Sequence, residues 1–322
     1  MSFTKKILRF TFFQSIFLVL GSFLFATDWP VKVNDSKTSV IKYNFAEERY
    51  GSFSPSLVFS VEESDVTSIS DGKVIFVSDA KDSYYNQFSS PLGSFAIVAH
   101  PDKMVSVYAN LSQINPALTS NPSLAQTSLD VSVGSAIGKV ISDEKIKQLA
   151  KDEKTQSENL KNLGFHTKNE TFEFQILDTQ NKVSINSYLI LPEMEKNVSV
   201  YPGSVYLENK RGVVYSLDER KVLPSGVYSL YRDFVPSKMP LSTSVSVNGK
   251  TVSKIDYDML VSKNGVLLAG GNESFAFSRI FALSKKQFLG EVQFVRGKNE
   301  ITMVVTDLNK NNRKMTYIVD MY

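Results

Sequence analysis

The chain has 322 residues, a length that predicts two domains, and its 36 Lys and Arg nearly balance its 33 Asp and Glu, for a net charge of +3. This balance leaves no strong field of one sign, which argues against nucleic acid as a partner. The absence of cysteine excludes disulfides, thiolate metal sites, cysteine nucleophiles and lipoprotein-type acylation. Only two histidines, His100 and His166, remain for metal or acid–base chemistry.

The first 26 residues have the order of a secretory signal. Lys5, Lys6 and Arg9 precede an apolar run over residues 10–25, and the small residue Ala26 follows it. This order predicts a signal peptide over residues 1–26. An uncleaved anchor is the alternative, although the apolar run is short for a full span. We expect export to the periplasm, the cell envelope or the extracellular space, with no membrane span after signal removal.

Residues 27–192 are expected to form a first domain made of short β-strands. In residues 172–177, two Phe and an Ile alternate with Glu, Gln and Leu, a pattern that predicts a half-buried antiparallel strand. Asp71-Gly72 lies between two β-rich runs and predicts a hairpin there. Further strands are predicted over residues 95–100, 105–111 and 131–140.

One segment departs from the strand pattern. Residues 142–163 are rich in Lys, Glu, Gln and Leu and contain neither Gly nor Pro. With Ser142 as N-cap and Gly164 as stop, they predict one polar helix inserted among the strands. The thin apolar stripe of this helix favours a solvated surface helix over a partner-binding one.

Residues 193–322 continue the strand pattern as a second domain. Asn248-Gly249 and Asn264-Gly265 predict tight turns. Frequent turns between short strands predict an antiparallel β-sandwich of immunoglobulin-like type, so the predicted fold class is mainly β throughout. The predicted strands cover residues 204–208, 213–217, 226–231, 244–247, 265–268, 288–295, 300–306 and 315–319.

Five segments of the first half occur in the order found in LytM, or lysostaphin-like, peptidoglycan metallopeptidases. They are SISDGKVIFV (68–77), GSFAIVAHPDKMVSVYANLS (93–112), VSVGSAIGKV (131–140), FEFQILD (172–178) and INSYLILP (185–192). On these segments the first half resembles a LytM domain. The resemblance implies a LytM-type antiparallel β-sheet with a groove in which active members hold one zinc ion.

The residues at the family's active positions imply that the zinc site is lost. Active members take zinc ligands from a His-x-x-x-Asp motif and a His-x-His motif, but residues 52–64 (SFSPSLVFSVEES) contain neither His nor Asp. Asn110 stands at the histidine of the tyrosine-alanine-histidine strand, and Thr171 and Glu173 stand at the His-x-His pair. One carboxylate does not make a zinc site. The resemblance therefore implies no catalytic residue, no metal and no cofactor.

The candidate ligand-binding residues are those at the former active positions, Asn110, Thr171 and Glu173, with His100 nearby. Their expected role is to hydrogen-bond a ligand in the groove, although His100 is also explained as a strand-end residue that makes a structural hydrogen bond. The leading hypothesis is a non-catalytic cell-envelope protein that binds peptidoglycan or regulates a cell-wall hydrolase.

Two other functions stay open on the sequence. One is an active zinc metalloendopeptidase of peptidoglycan with unorthodox ligands, such as His166 and Glu173 with Glu62 or Glu63. The other is a surface adhesin or structural protein in which both β-domains serve as scaffold.

Overall fold

The computed structural model describes residues 27–32, 39–79, 92–119, 129–142, 171–192, 200–235, 238–283 and 285–322. These residues form mainly β-strands with short helical turns, so the predicted mainly β class is confirmed. The predicted signal peptide (1–26) and all but the first residue of the predicted polar helix (142–163) lie outside the described residues. Within the part of the chain described, no helix is both long enough and apolar enough to cross a membrane.

Thirteen strands and two short helical turns lie before residue 193. The strands are β1 (Ser39–Tyr43), β2 (Glu48–Arg49), β3 (Ser52–Phe53), β4 (Leu57–Val61), β5 (Glu63–Thr67), β6 (Gly72–Ser78), β7 (Phe95–Ala99), β8 (Met104–Ala109), β9 (Gln113–Ile114), β10 (Leu129–Val131), β11 (Ala136–Ile141), β12 (Thr171–Asp178) and β13 (Val183–Ile185). The turns are α1 (Pro116–Thr119) and a 3-10 helix (Ser187–Leu189). These counts refer to the described ranges.

Eleven further strands are described after residue 199. They are β14 (Val205–Asn209), β15 (Val214–Ser216), β16 (Val222–Leu223), β17 (Gly226–Asp233), β18 (Ser242–Val247), β19 (Lys250–Lys263), β20 (Val266–Gly271), β21 (Phe275–Ala276), β22 (Lys286–Phe294), β23 (Gly297–Thr306) and β24 (Asn312–Met321). A short helix, α2 (Phe277–Ile280), lies between β21 and β22. The eight strands predicted here all have a counterpart, whereas the 14-residue β19 was not predicted.

A large sheet runs through both halves of the chain. Its order is β10-β6-β7-β8-β12-β13-β19-β18-β23-β24-β16, and neighbours are antiparallel except for the parallel pair β16–β24. The link between the halves is the β13–β19 pair, in which Val183 lies opposite Val261 and Ile185 opposite Met259. Strand β12 lies deep in the first half, because it pairs with β8 along one edge and with β4 and then β13 along the other.

The hairpin predicted at Asp71-Gly72 is wrong, because β5 and β6 do not pair. Strand β5 pairs with β11, whereas β6 pairs with β10 and β7 in the large sheet. Between them, the amide of Ser68 donates to Ser135 O at 2.9 Å and the amide of Ile69 donates to Tyr108 OH at 3.0 Å. These bonds satisfy the backbone while the chain crosses from one sheet to the other.

Apolar residues from both halves share one core. Phe53 packs edge-on against the rings of Tyr257 and Phe277, with centroids 6.2 and 5.3 Å away. A second core lies after residue 199, where a four-stranded sheet (β15-β14-β17-β22) packs on the large sheet through residues such as Leu207 and Met303. The immunoglobulin-like topology and the domain boundary at residue 192 stay predictions.

Candidate functional site

Strand β12 presents one polar face to a groove. Phe172, Phe174 and Ile176 are buried, so the alternating residues Thr171, Glu173 and Gln175 point to the opposite side of the sheet. Glu173 lies opposite Ala109 of β8 and Val58 of β4. The alternation of apolar and polar residues thus places a carboxylate in the middle of the sheet, flanked by a strand on each side.

Asn110 reaches the same carboxylate from the end of β8. Its backbone has a φ of 60°, a left-handed conformation that asparagine tolerates better than most residues. The backbone N–H of Asn110 donates to Leu92 O at 2.8 Å, which stabilises this turn. The side-chain Nδ2 then donates to Glu173 Oε1 at 3.3 Å. Asn110 and Glu173 are therefore in contact, and Thr171 lines the same groove, while their role in ligand binding stays a prediction.

Arg49 is the central residue of this site, and it was not predicted from the sequence. Arg49 Nη1 lies 2.8 Å from Glu173 Oε2, and Nη2 donates to Oε1 at 2.9 Å. Such two-pronged pairs are the strongest arginine–carboxylate geometry. The two side chains are 21% and 15% exposed, so water screens the pair only in part. Ser56 Oγ adds a longer contact of 3.4 Å to Oε2.

The surroundings of Arg49 stabilise its positive charge. The hydrogen bond to Glu173 is the main cause that raises the pKa of Arg49 above its usual value. The guanidinium also lies near two tyrosine rings, with its Cζ 5.7 Å from the centroid of Tyr43 and 5.5 Å from that of Tyr50. These distances are within the range of cation–π attraction. The guanidinium of Arg49 thus balances the negative charge of the Glu173 carboxylate.

The groove around this ion pair has a volume of about 580 Å³, within the size range of small-molecule sites. Its lining combines hydroxyl and amide groups with apolar side chains. The described residues that line it are Arg49, Tyr50, Phe53, Ser54, Pro55, Ser56, Leu92, Val107, Ala109, Asn110, Thr171, Glu173 and Gln175. Such a mixture suits a ligand that both donates and accepts hydrogen bonds.

His100 does not line the groove. It follows β7, next to the start of β8, whereas Asn110 follows the end of β8; the six residues of β8 place roughly 17 Å between the two. Its Nδ1 is 2.8 Å from Asp71 O and its Nε2 is 2.8 Å from Ser106 Oγ. These contacts support the interpretation of His100 as a strand-end residue with a structural role.

The groove residues do not fit a zinc ion. Zinc sites in proteins are built from Cys, His, Asp and Glu, and Glu173 is the one such residue among the described residues of the lining. Within the described ranges, no three such residues form a group that could hold a metal. Glu62 and Glu63 are exposed, and Glu62 lies four residues beyond the partner of Glu173 in β4, roughly 13 Å along the strand. His166 lies outside the described residues.

Comparisons with known proteins give partial matches. A protein-family model matches residues 199–322, and no curated protein matches the chain. A chain of the SpoIIIAH–SpoIIQ complex is 18% identical, with a TM-score of 0.30, over 50% of this chain and 96% of that chain. A mutant catalytic domain of the prophage-encoded protein EnpA from Enterococcus faecalis is 13% identical, with a TM-score of 0.28, over 46% and 85%. A zinc-containing peptidase from Vibrio cholerae is 16% identical, with a TM-score of 0.29, over 47% and 36%.

Proposed function

We propose that this chain is a non-catalytic, exported cell-envelope protein whose groove binds the peptide part of peptidoglycan. The observation that carries the proposal is the two-pronged ion pair between Arg49 and Glu173. A metal-activated water needs several electron-donating side chains around one ion. Among the described lining residues, the single carboxylate is bound by a guanidinium, so these residues offer hydrogen bonding rather than metal chemistry.

The groove chemistry supports a peptide ligand. A peptide presents N–H donors and C=O acceptors at regular intervals. The side chains of Asn110, Thr171 and Gln175 carry both kinds of group. One N–H of Asn110 already binds Glu173 and one N–H of Gln175 binds Ser184, which leaves the amide oxygens and the second N–H of each for a ligand. Leu92 and Val107 add apolar surface for the side chains of the ligand. The resemblance of the first half to LytM peptidases supports cell-wall peptides as the source of this ligand.

Binding to purified sacculi tests the ligand. Residues 27–322 would be sedimented with sacculi, beside a Thr171→Tyr variant that narrows the groove. The matched control is a Thr316→Tyr variant at an exposed position of β24. We expect the wild type and Thr316→Tyr to bind, and Thr171→Tyr to bind at least about tenfold more weakly. Equal binding by all three would place the ligand elsewhere. Binding to a purified cell-wall hydrolase but not to sacculi would show that the ligand is a protein partner rather than peptidoglycan.

Zinc analysis with a muropeptide digestion assay tests the absence of catalysis. We expect substoichiometric zinc after incubation with the metal and no new digestion products. Stoichiometric zinc together with cleavage that disappears in Glu173→Ala would establish the metallopeptidase instead. Binding to host matrix proteins, with none to sacculi or hydrolases, would favour the adhesin.

A further inference from the structure

A tight turn at the edge of the groove contains an unusual residue. Strands β2 and β3 form a hairpin in which Arg49 lies opposite Ser52, so Tyr50 and Gly51 are the two loop residues. Both have a positive φ, 55° for Tyr50 and 76° for Gly51. A two-residue loop with two positive φ angles is a type I′ turn, whose first position favours asparagine, aspartate or glycine. A bulky residue in this conformation is strained.

The same chain uses the favoured residue in two other turns of this kind. Asn248-Gly249 joins β18 to β19 with φ angles of 52° and 77°, and Asn264-Gly265 joins β19 to β20 with 52° and 76°. The backbone angles are within a few degrees of those at Tyr50-Gly51. The departure from asparagine therefore occurs at the hairpin beside the groove and not at the other two.

Burial within the chain does not explain the tyrosine. Tyr50 is 94% exposed, so its ring gains little from the hydrophobic effect. The ring approaches the guanidinium of Arg49, and the Tyr50 side chain also hydrogen-bonds it. Contacts of this kind are weak at an exposed position. Tyr50 is nonetheless one of the residues that line the groove. A strained, exposed residue at a binding site points to a role in binding.

We propose that Tyr50 is a ligand-contact residue, and that peptidoglycan seated in the groove covers its ring. The inference rests on the proposed function, and it adds a contact residue that lies outside the former active positions. An aromatic ring provides a large, stiff contact surface with a polar hydroxyl at its end. The turn holds this ring over the groove at the expense of the stability of the free protein.

A reciprocal pair of substitutions tests the inference. Tyr50→Asn restores the favoured turn residue, so we expect the melting temperature to rise by about 2 °C, while affinity for sacculi falls about tenfold or more. Asn264→Tyr makes the opposite change in a turn that does not line the groove. We expect it to lower the melting temperature by a similar amount and to leave binding unchanged. Thermal unfolding and sacculus sedimentation give the two readouts.

The outcomes separate this inference from the proposed function. If the wild type binds sacculi, Thr171→Tyr weakens binding and Tyr50→Asn binds like the wild type, the contact role of Tyr50 is wrong and the function stands. A lower melting temperature for Tyr50→Asn would show that the tyrosine stabilises the turn, which also overturns the inference. If the wild type does not bind sacculi, the proposed function and this inference fall together.

Discussion

Replacing Arg49 by methionine removes the cation from the groove while keeping much of the side-chain volume. Of its contacts with described residues, Glu173 would then keep those from Asn110 and Ser56, at 3.3 and 3.4 Å. An exposed ion pair contributes up to about 1 kcal/mol, and loss of one partner of a fully buried pair costs about 3–5 kcal/mol. At 21% and 15% exposure the pair lies between these limits. We therefore expect a loss of about 2 kcal/mol in the free energy of unfolding.

Urea unfolding at neutral pH measures this loss, and a double-mutant cycle identifies its origin. In Arg49→Met with Glu173→Gln, the stranded charge is gone, so we expect about half of the lost stability to return. The single Glu173→Gln variant completes the cycle. Arg49→Met could instead change the free energy of unfolding by less than about 0.5 kcal/mol, as an ordinary surface substitution does. The ion pair would then not stabilise the fold, and the predicted cost of leaving Glu173 unpaired would be wrong.

Two further predictions concern the core and the pH dependence of stability. Phe53→Ala should lower the free energy of unfolding by about 3–5 kcal/mol, because Phe53 packs on Tyr257 and Phe277 in the core shared by the two halves. We expect unfolding to stay a single calorimetric transition; two separate transitions would contradict a shared core. Burial, and to a smaller extent repulsion from Asp256, raises the pKa of Asp258. The folded state therefore binds a proton on the Asp258 carboxyl more tightly than the unfolded state does, so ionised Asp258 lowers the stability of the fold. Asp258→Asn should therefore raise the melting temperature at pH 7 and lose this advantage as the pH falls to about 4; a gain that does not depend on pH would contradict this assignment.

Asn110, Thr171 and Glu173 were predicted as site residues because they stand at the former active positions in the resemblance to LytM domains. Alternation in β12 indicated in addition that Glu173 lies on the polar face of the strand, and the structure places Asn110 Nδ2 at 3.3 Å from its carboxylate. Arg49 was not predicted, because it belongs to a two-residue strand with no alternation and lies 124 positions from Glu173 in sequence. His100 was placed near the groove, but it lies at the other end of β8.

The sequence by itself determined the mainly β class, most of the strands and the Asn-Gly turns, because alternation and turn preferences depend on neighbouring residues. Only the tertiary structure decided which strands pair. It separated β5 from β6 and joined β13 to β19 across the two halves. Strand pairing depends on packing between distant segments, and no pattern within one segment contains that information. For the same reason, only the tertiary structure placed a guanidinium against the carboxylate of Glu173.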